Sequence, residues 1–161
     1  MRNLKWNYIL IWAVLIYPIY SFAQSPFITV WDLQNTSTPG YDLQIQFKSE
    51  GNFSYYWEDT NNPSINGSGT DASIIVDSFG NNIIDLPNYG TYSLKITPIG
   101  NDGFRDFKVS SGSKKIIDVT QWGDIEWEAM ANSFSSTINL HHITATDMPD
   151  LSLANSLSSM F

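Results

Sequence analysis

Apolar and polar residues alternate over short stretches of the chain between residues 26 and 112. Tyr41 to Phe47 alternates without exception, which is typical of an antiparallel strand with one buried face. The stretches with strong or weak alternation are 27–33, 41–47, 52–57, 73–76, 91–97 and 104–109. Clusters of Gly, Asn, Pro, Asp and Ser separate them. Six or so short strands joined by polar turns predict an antiparallel β-sandwich.

The pattern changes at Lys114. Residues 114–119 predict one more short strand. Beyond it, the spacing of Trp127, Met130 and Phe134 matches one face of a helix. Three acids crowd the start of this predicted helix, where the helix dipole favours negative charge: Asp124, Glu126 and Glu128. We therefore interpret these acids as a solvated helix start rather than as a catalytic or metal-binding cluster.

A short internal repeat follows the predicted helix. Residues 130–134 align with residues 157–161, so that Met130 corresponds to Leu157 and Phe134 to Phe161. Between the two copies, the pattern places four apolar residues on the buried side of a coil: Ile138, Leu140, Ile143 and Ala145. The offset between the copies lies in the range of leucine-rich repeats, about 20–29 residues.

Residues 1–23 have the features of a secretory signal. Arg2 and Lys5 precede an apolar run from Tyr8 to Tyr20. This run is shorter than the ~20 residues that a spanning helix needs. Small residues then precede a cleavage site between Ala23 and Gln24. The sequence therefore predicts a secreted or cell-surface protein, exported from a bacterium, with no membrane span once the signal is removed.

The composition of the chain excludes several classes of partner and of covalent feature. The chain has 16 acidic and 8 basic residues and no cysteine. Loss of Arg2 and Lys5 with the signal takes the net charge from −8 to −10. Such a chain is not expected to bind nucleic acid, because a polyanion requires a basic surface. Without cysteine it can form neither disulfides nor a bacterial lipid anchor.

No motif of an enzyme is present. The chain lacks a nucleophile elbow, a phosphate-binding loop and a calcium loop. The two histidines, His141 and His142, are adjacent and would point to opposite faces of an extended segment. Glu58 and Asp59 are also neighbours, so they cannot face each other across a cleft as a glycosidase pair must. We therefore expect no enzyme activity, no cofactor and no resident metal.

Two motifs resemble the PKD-type immunoglobulin-like domain. Trp57-Glu58-Asp59-Thr60 is similar to the tryptophan turn of that family, and the segment from Gly90 to Ile96 is similar to its "Gly-x-Tyr-x-Val-x-Ile" strand. The resemblance implies a β-domain over residues 24–113 in which the tryptophan and the strand tyrosine help to pack the sandwich. Glu58 and Thr60 stand where the family has glycines. This departure affects the tight turn that the family forms here and any cation site near it.

The segment from Gln121 to Phe161 resembles the entry into BspA-like leucine-rich repeats of bacterial surface proteins. The similarity rests on Pro149-Asp150-Leu151-Ser152 and on Met160-Phe161. It implies that residues 114–161 are the first one or two turns of a solenoid, which we expect to be a truncated piece of a longer one. It also implies a non-enzymatic adhesin that binds a host or neighbouring-cell surface protein through its repeats, with the β-domain as spacer or cap.

A carbohydrate-binding module is the alternative. Aromatic rings stack on sugars, and Tyr56 falls off the face formed by Phe53, Tyr55 and Trp57. Tyr56 is then either a ring exposed to a polysaccharide or a cross-strand partner, and we favour the second interpretation. The candidate ligand-binding residues are Tyr56, Trp57 and Asp59.

Overall fold

The computed structural model describes residues 24–33, 43–110 and 114–161. The predicted signal segment and Ala23 lie outside these residues, and Gln24 is the first described residue. Within these ranges the fold is mainly β, with a single turn of 3-10 helix at Asp71–Ser73. Its strands are β1 Phe27–Asp32, β2 Gln44–Glu50, β3 Phe53–Asp59, β4 Asn66–Thr70, β5 Ile75–Val76, β6 Asn82–Asp85, β7 Thr91–Pro98, β8 Asp106–Val109, β9 Ile116–Gln121 and β10 His142–Ile143.

The strands form two sheets that pack face to face. Sheet A has the order β10-β9-β1-β7-β3-β4, and sheet B has the order β5-β6-β2-β8. All pairs are antiparallel except the pair of β9 and β10, which is parallel. The prediction of an antiparallel β-sandwich is thereby confirmed. The alternation seen in the sequence sets the inner face, because Phe27, Leu94 and Phe107 point inward while their neighbours point outward.

One hydrophobic core extends through both the sandwich and the C-terminal segment. Phe27 of β1 is fully buried, and its ring lies 5.1 Å from that of Phe107 and 5.0 Å from that of Trp127. The residues from the C-terminal segment that are buried in this core are Ile116, Val119, Trp122, Ile125, Trp127, Met130 and Phe134. The predicted boundary at residue 113 therefore crosses a continuous core.

Both sheets continue into the C-terminal segment through hydrogen bonds. Sheet A continues through β9 and β10. Sheet B continues because Asp106 of β8 forms a parallel bridge with Ala129, and the N–H of Val109 donates to the carbonyl of Ser133 at 2.9 Å. Two extended coils follow, which we define as the first coil (residues 114–134) and the second coil (residues 138–161).

The two coils lie side by side, and the residues that pair between them are separated by a nearly constant number of positions in the sequence. His142 pairs with Asp118, and the amide of Phe134 donates to the carbonyl of Met160. The rings of Phe134 and Phe161 stack with their centroids 5.4 Å apart and their planes 11° apart. Phe134 and Phe161 are also the residues that the sequence repeat aligns.

The helix predicted over residues 124–134 is wrong. Residues 124–130 are extended, with isolated bridges at Glu126 and Ala129, and turns occupy residues 131–136. The amides of Met130, Asn132 and Phe134 donate to the second coil rather than within a helix. An extended stretch followed by turns buries Trp127, Met130 and Phe134 in the core, so it reproduces a helical spacing without a helix.

A close backbone approach fixes the first coil to the start of β1. Gly123 has φ +74°, and a Cβ atom at that position would lie 2.5 Å from the carbonyl oxygens of Ser25 and Pro26. The amide of Ser25 donates to Asp124 Oδ2 at 2.8 Å, and the amide of Asp124 donates to the carbonyl of Ser25 at 3.0 Å. Only glycine combines this backbone angle with so short an approach.

Candidate functional site

The three candidate residues of β3 separate onto two faces of sheet A. Trp57 and Asp59 point toward the space between the sheets, whereas Tyr56 points outward. This separation follows from the alternation of a strand, since successive side chains leave opposite faces. The structure therefore does not bring Tyr56, Trp57 and Asp59 into one site.

Trp57 is part of the packing of the sandwich. Its indole ring meets the ring of Tyr92 edge to face, with centroids 5.8 Å apart. It also lies across Gly67 of β4, where a Cβ atom would stand 2.7 Å from the ring. The hydroxyl of Tyr92 donates to the carbonyl of Asn88 at 2.9 Å, within the turn that precedes β7. Burial and the charge of Asp59 raise the pKa of Tyr92.

Asp59 shapes the loop after β3. Its side chain is buried, and Oδ1 accepts the amides of Asn61 and Asn62 at 2.7 and 3.1 Å. An aspartate that accepts amides just ahead of it in the chain closes a local turn. Both hydrogen bonds are internal to the loop, which gives Asp59 a structural role.

Tyr56 belongs to a cross-strand cluster on the outer face. It lies opposite Lys95 of β7, whose Nζ is 5.2 Å from the ring centroid and donates to Glu58 Oε1 at 2.9 Å. The tyrosine hydroxyl donates to Glu58 Oε2 at 3.2 Å. The hydrogen bond from Lys95 holds the pKa of Glu58 below its ordinary value. Partial burial, and then Glu58, raise the pKa of Tyr56.

A shallow concavity of about 490 Å³ adjoins this cluster. Besides Tyr56 and Lys95, it is lined by small and hydroxyl-bearing side chains that include Ser54, Ser68 and Thr97. Because the ammonium group of Lys95 already lies over the tyrosine ring, a ligand that stacks on Tyr56 must displace it or approach beside it. Such a surface combines apolar contact area with a few hydroxyl groups.

The second coil carries large apolar side chains that are exposed to solvent. We define these six residues as the coil face: Ile138, Ile143, Met148, Leu153, Leu157 and Phe161. Met148 is the most exposed of them, at 86%. The expectation that Ile138 and Ile143 are buried is wrong, whereas Leu140 and Ala145 do pack against the core. The alternation in the sequence could not reveal this exposure, because it depends on what lies beside the second coil.

The second coil carries little charge. Its only acids, Asp147 and Asp150, accept backbone amides. Asp147 accepts the amides of Trp122 and Gly123 from the first coil, at 3.0 and 2.8 Å. Its only ionisable bases are the adjacent histidines at positions 141 and 142. The coil face is thus an apolar, nearly uncharged surface on an otherwise acidic chain.

Within the described ranges, no group of three or more His, Asp or Glu side chains is arranged to hold a metal ion. The same residues contain no helix long and apolar enough to cross a membrane. The chain matches no protein-family model, and no curated protein or solved structure is significantly similar to it.

Proposed function

We propose that this protein is an exported, non-enzymatic protein that binds another protein through the coil face, and that the sandwich caps the start of the coils. The observation that carries this proposal is the exposure of six large apolar side chains within the second coil. Contiguous apolar surface exposed to water is typical of interaction sites, and two of these residues, Ile138 and Phe161, line one concavity. The signal-like segment at residues 1–23 supports export.

The arrangement of the coils supports a BspA-like repeat origin for this surface. The first coil meets the second at a nearly constant chain displacement, through His142 opposite Asp118 and through Ser158 and Met160 as acceptors. The first coil adds β9 to sheet A and bridges β8 of sheet B at Ala129, and the second coil pairs with the first along both of these parts. Stacked units of this kind present extended surfaces on which many side chains share the binding energy.

The test compares coil-face variants with a matched sandwich variant. The chain from Gln24 to Phe161 is immobilised and exposed to solubilised surface proteins from host cells and from neighbouring bacteria, and retained proteins are identified. Met148→Asp and Leu153→Asp are expected to weaken retention about tenfold or more, because a central apolar contact is replaced by a charge. Val76→Asp is the control, since Val76 is an exposed apolar residue of β5.

Loss of the same retained protein in both coil-face variants, with Val76→Asp unaffected, supports the proposal. Equal retention by all four proteins, or equal loss in the Val76→Asp control, overturns it. Each variant is first compared with the wild type by thermal unfolding, because exposed substitutions are expected to change stability by no more than about 0.5 kcal/mol.

A carbohydrate-binding module is the second candidate function. The concavity beside Tyr56, with its hydroxyl-bearing lining, is the observation that favours it. A pull-down on insoluble neutral polysaccharides tests it. Retention that is lost in Tyr56→Ala and kept in Met148→Asp would favour the module, whereas no retention, or retention unchanged by Tyr56→Ala, would reject it.

A further inference from the structure

Two lysines face each other on the outer face of sheet B. Lys48 of β2 pairs directly with Lys108 of β8, so both side chains leave the same face of the sheet. Like charges in directly opposite positions destabilise a strand pair. Lys108 contacts Asp106 at 3.1 Å. Lys48 has a weaker electrostatic partner in Asp77, whose pKa is lowered mainly by hydrogen bonds from Asn81 and to a smaller extent by Lys48.

Both lysines line a concavity of about 520 Å³ between sheet B and the first coil. Its other lining includes the ring of Phe79, which is 75% exposed, and the side chains of Asn132 and Ser135. Asn132 has φ +61°, a left-handed conformation that asparagine adopts more readily than most non-glycine residues. An exposed ring, two ammonium groups and several polar side chains therefore meet at one place.

Two residues that line this concavity carry a buried oxygen atom without a hydrogen-bond partner among the described residues. Asn81 is 4% exposed and lines it, and its Oδ1 has no hydrogen-bond partner among the described residues. The same holds for Ser110 Oγ, also in the lining. Two further unpartnered oxygens, Gln46 Oε1 and Asp106 Oδ1, belong to the strands that carry the lysines. An unsatisfied buried oxygen costs about 1–3 kcal/mol.

We propose that this concavity binds a carboxylate-bearing sugar, such as a uronic acid unit of an acidic polysaccharide. The carboxylate binds between the ammonium groups of Lys48 and Lys108, where it competes with Asp106 for Lys108, and the ring of Phe79 supports the apolar face of the sugar. The unpartnered oxygens of Asn81 and Ser110 both accept hydrogen bonds, so hydroxyl groups of the sugar satisfy them. An acidic peptide offers the carboxylate but far fewer hydroxyl donors.

Titration calorimetry tests this proposal on the chain from Gln24 to Phe161. The ligands are short oligomers of galacturonate, glucuronate and mannuronate, together with neutral galactose oligomers and a glutamate oligomer of similar length. We expect one uronate series to bind with a Kd below about 1 mM. Lys48→Gln, Lys108→Gln and Phe79→Ala are each expected to weaken binding about tenfold.

Lys114→Gln is the matched control, because Lys114 is exposed and lies outside the lining of this concavity. Binding of a uronate that is lost in the sheet B variants and kept in Lys114→Gln supports the proposal. Binding no tighter than the neutral oligomers, binding of the glutamate oligomer alone, or an equal loss in Lys114→Gln overturns it. Thermal unfolding of each variant establishes that the exposed substitutions leave the fold intact.

Discussion

The sandwich and the coils satisfy their backbone hydrogen bonds over different chain distances. In the sandwich, antiparallel strands pair across separations that vary from hairpin to hairpin, as β3 pairs with both β4 and β7. In the coils, the amides of Met130, Asn132 and Phe134 each donate to a carbonyl of the second coil, and donor and acceptor are separated by the same number of residues in all three pairs. Strand pairing in the sandwich is accompanied by alternation of apolar and polar residues in the sequence. Pairing of the coils is accompanied instead by a fixed sequence separation between the paired residues.

The two regions also differ in where they keep their apolar side chains. The first coil buries its large residues in the core that it shares with the sandwich. The second coil has partly buried residues such as Leu140 and Leu151 but exposes Met148 and Phe161. The first coil is therefore energetically part of the sandwich, whereas the second is held mainly by its contacts with the first.

Trp127→Ala is expected to have the largest effect on this comparison. The Trp127 ring is fully buried and lies within 6.2 Å of the rings of Phe27, Phe104 and Trp122. Removal of a buried indole costs about 3–5 kcal/mol of unfolding free energy. Because these rings come from both regions, we expect one unfolding transition at lower urea concentration, measured in parallel by circular dichroism and fluorescence.

Trp127→Phe is the control for that substitution. It keeps an aromatic ring and removes the buried Nε1, which has no hydrogen-bond partner among the described residues. We therefore expect it to retain most of the stability. Two separate transitions in Trp127→Ala, with the sandwich unaffected, would contradict a shared core.

The sequence predicts those parts of the fold whose pattern follows from local alternation. β3 and β7 fall close to the predicted stretches because their inner faces carry Phe, Tyr, Trp, Leu and Ile. β4 lies in one of the polar clusters between the alternating stretches, where the sequence predicts a turn because Asn66 to Thr70 is rich in glycine and lacks apolar residues. Its inner face is filled instead by the rings of Tyr55 and Trp57, which lie over Gly69 and Gly67.

At the candidate sites too, local alternation predicts some features, whereas others depend on tertiary packing. Alternation along β3 correctly separates Tyr56 from Trp57, and the favoured role of Tyr56 as a cross-strand partner agrees with its contact with Lys95. The juxtaposition of Lys48 with Lys108 depends on the register between two strands that are far apart in the chain, which no local pattern encodes. The exposure of the coil face depends on tertiary packing and is equally invisible in the sequence.

Gly67→Ala tests the aromatic packing that completes the edge of the sandwich. A Cβ atom at this position would stand 2.7 Å from the Trp57 ring. The indole must therefore shift away from Tyr92, and such overpacking costs about 1–3 kcal/mol. Ser68→Ala is the control, because Ser68 is an exposed residue on the opposite face of the same strand. Equal midpoints of urea unfolding for the two variants would contradict the proposed packing.

Asp147→Ala tests the attachment of the second coil to the first. The change removes the acceptor for the amides of Trp122 and Gly123. A hydrogen bond to an exposed charged group contributes about 1 kcal/mol, so the global midpoint should shift only slightly. Amide hydrogen exchange should nevertheless accelerate at Trp122 and Gly123, while the amides of β7 keep their protection. Unchanged exchange at both residues would show that the second coil does not rely on this contact.

Asp124→Asn is expected to have the smallest effect, and it acts where the first coil meets the start of β1. The hydrogen bonds from the Ser25 amide and side chain hold the pKa of Asp124 below its ordinary value of 3.8. A carboxyl group with a lowered pKa in the folded state stabilises the protein above that ordinary value, and this contribution is lost as the pH falls through the folded-state pKa. Asparagine keeps an oxygen acceptor without the charge.

The wild type should therefore be slightly more stable than Asp124→Asn at pH 7, and the difference in urea midpoint should narrow below about pH 4. A difference that stays constant from pH 7 to pH 3 would mean that the charge of Asp124 contributes nothing to joining the coil to the sandwich.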